Sequence, residues 1–293
     1  MTPRSFLFVP GDSEKKLAKI AGCGADAVIL DLEDAVAPAA KPAARALVAR
    51  FLREAPRGDG APQLWVRVNP FDTGLTEHDV AAIVPGKPDG IVQPKPDGPA
   101  CVARLSTLLD HMELAHGVAP GSIRILPVAT ETAIAPFRLG DYAGAGLTRL
   151  AGLTWGAEDL AAALGATGNR DADGEWGFTY RLVRSLTLMA AHAAGVPAIE
   201  TLHANFRDEE GLRASSRAAR AEGFSGRLAI HPDQVRAINE SFTPSEEEIA
   251  FARRVVEAFA AQPDAGTVAL DGRMLDVPHL KSARRTLGLA GEG

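Results

Sequence analysis

The chain has 293 residues, 46% hydrophobic and 23% charged, the balance of a globular protein with room for one large α/β barrel or two smaller domains. A net charge of −6 with no basic stripe argues against a nucleic-acid partner. The longest early apolar run, Phe6–Val9, is too short for a signal peptide or membrane span, and Cys23 and Cys101 lack metal spacing, so the expectation is a cytoplasmic chain with reduced thiols and no membrane contact.

Along the chain, short β-type runs alternate with helical patterns. Ser5–Val9, Ala27–Asp31, Leu64–Val68 and Gly90–Pro94 come first, then Arg124–Val128, Arg149–Thr154, Ala198–Leu202 and Arg227–Ile230. A run such as Ala27–Leu30 is apolar along its length, as a strand buried in a parallel sheet is. Leu182, Leu186, Met189 and Ala193 mark one helical stripe, stopped by Gly195 and Pro197. Pro232 stands where a first helical turn begins, and Val235 and Ile238 follow at i, i+3. Eight strand–helix units place the chain in the α/β class as a (β/α)8 TIM barrel. A doubly wound sheet is the runner-up, but it would need a nucleotide fingerprint or a break in the repeat, and neither is visible.

The C-terminal part departs from this repeat. Ser245-x-x-Glu248 reads as a capping box, after which Ile249, Ala252, Val256 and Phe259 share a helix face. Gln262–Gly266 reads as a linker, Thr267–Leu270 as a short strand, and "DGRMLDVPHL" opens a final segment. The expected division is a barrel over 1–242 and a C-terminal helix and lid over 243–293, the latter packing on a neighbouring subunit.

Polar residues at the C-terminal ends of barrel strands form the active site of such a fold. That rule selects Asp31, Glu33 and Asp34 after the second strand, Arg67 ending the third, Glu131 after the fifth, and Glu158 and Asp159 after the sixth. Carboxylates this close repel and resist desolvation, so the fold must offer them cations, donors or water. Mg²⁺ fits best, being usually bound through one or two carboxylates plus water and substrate. The residues alone leave other roles open: Asp159 could favour a helix start, and Arg67 could be an ion-pair partner of Asp31 or Glu33. "DADGE" at Asp171–Glu175 lacks the ligand spacing of a calcium loop, and Gly144-Ala145-Gly146 lacks a third glycine where Arg149 stands. His231 in "AIHPDQ" reads as a structural residue at a strand end.

The motifs "RSFLFVPGDSEKKLAKI", "VILDLEDAV", "VRVNP", "ILPVATETA", "LTWGAEDLAAALG" and "AIHPDQV" together resemble the citrate lyase β subunit-like family of the HpcH/HpaI aldolase superfamily, which includes malyl-CoA and citramalyl-CoA lyases. The resemblance spans about Arg4 to Val235. It implies a (β/α)8 barrel, a Mg²⁺ cofactor and the making or breaking of a C–C bond in a CoA thioester. By motif, Glu131 and Asp159 would bind Mg²⁺, with Glu131 also beside the substrate. Arg67 would grip the substrate carboxylate, and the acids of "DLED" would hold the ion's water. The segment "DGRMLDVPHL" is similar to the lid motif of malyl-CoA and citramalyl-CoA lyases, which makes Asp276 the acid/base donated to a neighbouring subunit's site.

The implied reaction is a reversible retro-Claisen cleavage of a 3-hydroxyacyl-CoA, such as citramalyl-, malyl- or citryl-CoA, into a 2-oxo acid and an acyl-CoA. Pro10 and Gly11 would meet the pantetheine arm, and Lys15 and Arg4 the CoA phosphates. A homotrimer or homohexamer is expected. The alternatives are a β subunit acting on an acyl-carrier-protein thioester within a complex, and a non-catalytic protein that binds a 2-oxo acid or CoA.

Overall fold

A computed structural model describes residues 2–291. The chain falls into two compact units, Thr2–Asn239 and the segment from Glu240 onward. The first unit begins β1 (Ser5–Pro10), α1 (Glu14–Leu17), β2 (Ala27–Asp31), α2 (Lys41–Glu54), β3 (Gln63–Arg67), α3 (Thr76–Ile83), β4 (Gly90–Gln93) and α4 (Pro99–His116). It continues with β5 (Arg124–Pro127), β6 (Leu153–Thr154), α5 (Ala157–Ala163), α6 (Phe178–Ala193), β7 (Ala198–Glu200), α7 (Glu209–Glu222), β8 (Gly226–Ala229) and the start of α8 (Pro232–Phe242).

All eight expected strands are present, parallel, in the order β5-β4-β3-β2-β1-β8-β7-β6. The ring closes between β5 and β6 through two isolated bridges, Ile125–Leu150 and Val128–Thr154, rather than a full ladder. The sixth strand is shorter than the expected Arg149–Thr154. Arg149 turns its guanidinium into a buried pair with Glu113 (2.6 Å), which ties down the approach to the strand. Inside the ring, Phe6, Ile29, Trp65, Val92, Leu126 and Leu228 fill the barrel in layers, as short parallel barrels require. Trp65 lies so close over Gly90 that a Cβ there would stand 2.2 Å from its ring.

Two expectations about helices need correction. Between β5 and β6 the chain forms a 3₁₀ stretch, Ala135–Tyr142, with Pro136 in its first turn, not an α-helix, and the left-handed glycines Gly144 and Gly146 follow its end. In α6 the buried face is Tyr180, Val183, Thr187, Ala190 and Ala191, whereas Leu182 and Met189 of the expected stripe are 46% and 58% exposed. Small residues let the helix approach the barrel closely, and Thr187 satisfies its hydroxyl on the Val183 carbonyl (2.9 Å). Periodicity alone does not choose between two apolar faces.

The second unit holds α9 (Glu246–Ala260), β9 (Thr267–Leu270), β10 (Arg273–Asp276) and α10 (Val277–Leu289). The Ser245/Glu248 capping box is formed as expected. An Asp271-Gly272 turn, with φ of 49° and 73°, folds β9 and β10 into an antiparallel hairpin, the preferred chemistry for a two-residue loop. Ala252, Val255 and Phe259 of α9 bury against Val268, Leu275 and Ala283, so this helix face is covered from within its own unit.

Candidate active site

The C-terminal ends of the barrel strands surround a cavity of about 270 Å³. Strand register sets its polar side. Asp31, ending β2, pairs in the sheet with Arg67, ending β3. Arg67 donates from Nε (2.8 Å) and Nη2 (2.6 Å) to the two oxygens of Asp31, and its Nη1 lies 2.9 Å from Glu33. Burial works against this guanidinium, but Asp31 and Glu33 hold its pKa above the ordinary arginine range. Asp31 also accepts the backbone N–H groups of Glu33 (2.9 Å) and Ala35 (3.2 Å), which closes the "DLED" turn. Of the two roles left open for Arg67, the ion pair is formed here, with the guanidinium also lining the cavity.

Lys41 buttresses this turn from α2. Its ammonium donates to the carbonyls of Leu32 and Glu33 (both 2.9 Å) and to Asn69 Oδ1 (2.6 Å). Asn69 in turn donates to the Leu32 carbonyl (3.0 Å) and to Asp79 (2.7 Å). The acidic turn is thus held by groups around it.

A cation absent from the sequence reading stands among the acids. Lys95, two residues beyond β4, adopts φ 50° and directs its ammonium to Glu33, with Asp34 and Asp159 each 3.2 Å away. Burial opposes its charge, but Glu33 and the surrounding carboxylates raise its pKa. Its backbone N–H donates to Glu131 Oε2 (2.7 Å). The signal was available: "QPKPD" puts a charged residue at a strand end, the same rule that selects Arg67.

Glu131 is 5% exposed. Burial, with Asp159 adding to it, pushes its carboxyl up to about 8. Glu33 is also pushed up, since burial outweighs Arg67 and Lys95. Asp34 goes the other way: burial opposes its charge, yet Lys95 and Arg67 bring its pKa below the ordinary carboxylate value. Asp159 lies in the first turn of α5 and lines the cavity with its neighbour Glu158. Gly156 lets Glu131 approach, because a Cβ there would stand 2.8 Å from Glu131 Cγ and Oε1.

Part of the lining is apolar. Trp155, fully buried, donates from Nε1 to Glu200 (2.6 Å), and Glu200 is held by Arg184 (2.6 Å) and the Thr201 amide (2.8 Å). Trp176 packs its edge on Trp155 with centroids 5.3 Å apart, under the Arg170 guanidinium at 3.8 Å. Pro10, Phe8, Lys16 and Ile230 line this cavity and a second of about 250 Å³, which reaches Lys19, Cys23 and His231.

Asp31, Glu33, Asp34, Arg67, Glu131 and Asp159 therefore converge at one end of the barrel. Gly11 has a packing role: it is buried, donates to the Asp31 carbonyl (2.8 Å), and a Cβ would meet that oxygen at 2.6 Å. Arg4 precedes β1, at the opposite end of the strands, and is bound to Asp26 (2.8 Å), so it is not placed to meet a ligand at this mouth. Lys16 rather than Lys15 reaches the cavities. His231 stacks on Phe206 at 4.6 Å, and its ring accepts the Asp233 N–H, as a structural residue would. Asp276 belongs to the second unit, where it caps the N-terminus of α10; its hydrogen bond with His279 keeps its carboxyl ionised below the usual range.

The donor set suits a hard cation. Asp159 adds to the cost of ionising Glu131, a repulsion that a shared divalent ion relieves, and both residues offer oxygen only. Among the described residues no group of three His, Cys, Asp or Glu is arranged to enclose a metal. An ion that takes two protein carboxylates and completes its shell with water and ligand needs none.

The model of the HpcH/HpaI aldolase/citrate lyase family matches residues 4–232. A citrate lyase subunit beta-like protein of Mycobacterium tuberculosis is 37% identical over 287 residues, covering 98% of this chain and 95% of the relative. The mitochondrial citramalyl-CoA lyase of Rattus norvegicus is 33% identical over 303 residues, covering 98% and 86%. Among solved structures, CitE from Mycobacterium tuberculosis in complex with magnesium, acetoacetate and coenzyme A is similar at a TM-score of 0.79, with 36% identity and 99% of both chains covered.

Proposed function

The chain belongs to the HpcH/HpaI aldolase/citrate lyase family, and from that premise we propose that it is a Mg²⁺-dependent carbon–carbon lyase acting on a 3-hydroxyacyl-CoA whose C3 also carries a carboxylate. The observation that carries this reading is the buried Glu131 beside Asp159 at the mouth of the barrel, in a chain similar to a lyase and to a structure holding magnesium and coenzyme A. Glu131 and Asp159 would hold Mg²⁺, which when bound supplies Lewis-acid polarisation of substrate oxygens.

The chain's own groups do the rest. In the cleavage direction the C2–C3 bond breaks and its electron pair passes to the thioester as an enolate. The C3 hydroxyl loses its proton as it becomes the keto group, and the enolate carbon gains one, giving a 2-oxo acid and an acyl-CoA. Asp31 fixes the orientation of Arg67, whose guanidinium faces the substrate carboxylate and the keto oxygen. Lys95 holds Glu33, Asp34 and Asp159 in place. Trp155 and Trp176 exclude water from the apolar wall. Asp276, donated by a neighbouring subunit as a carboxylate, accepts the C3 hydroxyl proton and returns it to the enolate carbon. The second cavity, with Lys16 and Lys19, suits the thioester arm and its phosphates.

The assembly is a homotrimer or homohexamer, in keeping with exposed apolar side chains such as Phe137 (83%) and Phe178 (73%). The test is an assay of the purified chain with malyl-, citramalyl- and citryl-CoA, with Mg²⁺ and with chelator. Mg²⁺-dependent release of a 2-oxo acid is expected. Inertness towards all three in the presence of Mg²⁺ would overturn the reading.

A further inference from the structure

One residue touches both carboxylates assigned to the ion. Lys95 donates its backbone N–H to Glu131 Oε2 (2.7 Å), and its ammonium lies 3.2 Å from Asp159 Oδ1. The same ammonium binds Glu33 and stands 3.2 Å from Asp34, so it reaches from the turn after β2 to the first turn of α5. Lys95 holds φ at 50°, an angle that residues with a side chain rarely adopt, between Pro94 and Pro96. The ring of Pro96 also keeps it out of the right-handed helical region. So uncommon a conformation persists where the surroundings impose it, and here it serves two acids at once.

Pinning the acidic turn does not account for that reach. Lys41 already holds the Leu32 and Glu33 carbonyls (both 2.9 Å), and Arg67 holds Asp31 (2.6 Å) and Glu33 (2.9 Å). The contact with Asp159 lies outside the turn and sets a positive charge on a carboxylate that would hold the ion.

We infer that Lys95 is a positioning residue that tunes the metal site: its ammonium shares Asp159 with the ion, which weakens Mg²⁺ binding and strengthens binding of the anionic substrate that completes the ion's shell. This rests on the reading of Glu131 and Asp159 as the Mg²⁺ pair and names a residue that regulates that site. Two cations on one carboxylate repel each other at a range that dissolved salt screens little. On an incoming substrate carboxylate the sign reverses, because Lys95 then adds its attraction to that of Arg67 and of the ion. The protein alone therefore holds the ion less firmly than its carboxylates would, and the complex with substrate holds it more.

The experiment measures two dissociation constants by calorimetry, at one pH and ionic strength, in wild type, Lys95→Met and Lys95→Gly. The first is that of Mg²⁺. The second is that of a 2-oxo acid on the Mg²⁺-saturated protein, using pyruvate, glyoxylate or oxaloacetate, whichever wild type binds most tightly. Without the ammonium, Mg²⁺ should bind about tenfold or more tighter and the 2-oxo acid about tenfold or more weaker. Opposite signs mark a charge effect, since loss of a purely structural contact would weaken both. Glycine takes a φ of 50° without strain and keeps the N–H to Glu131, so it serves should the methionine variant not fold. Unchanged or weaker Mg²⁺ binding in the variants, or 2-oxo acid binding equal to wild type, would overturn this inference and leave the metal pair standing. Failure of wild type to bind Mg²⁺, or any of the three acids, would instead remove the lyase reading, and this inference with it.

Discussion

Gly156→Ala isolates the placement of Glu131. Gly156 has φ −119° and ψ 112°, an ordinary extended conformation, so alanine meets no backbone strain there. The nearest obstacle is Glu131, whose Cγ and Oε1 would lie 2.8 Å from the new Cβ, whereas ordinary contact begins at 3.4 Å. The difference, 3.4 − 2.8 = 0.6 Å, is the least by which the carboxylate must retreat. Misplacement near 1 Å at a reacting centre costs about 100-fold, so a loss of about 10- to 100-fold in kcat/KM is expected. Replacing glycine at a compatible site stabilises by about 0.4–1 kcal/mol through the unfolded chain, which offsets part of the steric strain and keeps Tm near wild type. The assay is lyase turnover across a Mg²⁺ titration alongside thermal unfolding, with the activation midpoint moving to higher Mg²⁺. Unchanged kcat/KM and an unchanged midpoint would show that Glu131 is not held where the reaction needs it.

Glu131 also predicts a pH dependence. A carboxyl raised in the folded state from 4.5 to about 8 contributes stability that is complete below about 4.5 and lost as pH climbs through about 8. In chelator, wild-type Tm should therefore fall more over that interval than the Tm of Glu131→Gln; parallel curves would refute the assignment. Lys41→Ala removes the donor to the Leu32 and Glu33 carbonyls and should cost about 1–3 kcal/mol in denaturant unfolding while lowering activity, whereas wild-type stability would mean the turn stands alone. Asp276→Asn and Arg67→Lys should each be nearly inactive, and co-expressed mixed oligomers should regain activity because some sites combine an intact barrel with an intact donated lid; no recovery in verified mixed oligomers would place Asp276 outside the neighbour's site.

The barrel was legible because its strands are apolar runs of the right length, and strand ends then singled out Asp31, Arg67, Glu131 and Asp159 without any knowledge of the helices. What escaped was decided in three dimensions. Lys95 is one lysine among several until the β4 end turns it towards Glu33 and Asp159. Trp176 sits beside a failed calcium motif and enters the cavity only because the Arg170–Trp176 bridge folds that loop back. The α6 face was misjudged because tight packing against the barrel favours Ala190 and Ala191 over the bulkier Leu182 and Met189. The β9–β10 hairpin is announced by Asp271-Gly272, a two-residue turn signal that follows the expected strand Thr267–Leu270.

The thin closure between β5 and β6 has a consequence for how the barrel breathes. Two bridges hold that seam, and Glu131 follows the strand on one side while Asp159 follows the strand on the other. Any cation gripped by both carboxylates is thereby a rivet across this join of the ring. Binding free energy spent there adds to the local opening cost of the seam, so occupancy and wall integrity rise together. A substrate that completes the ion's shell tightens the same join, and product departure loosens it. Turnover would then be felt as a periodic tightening and slackening of that one strand junction.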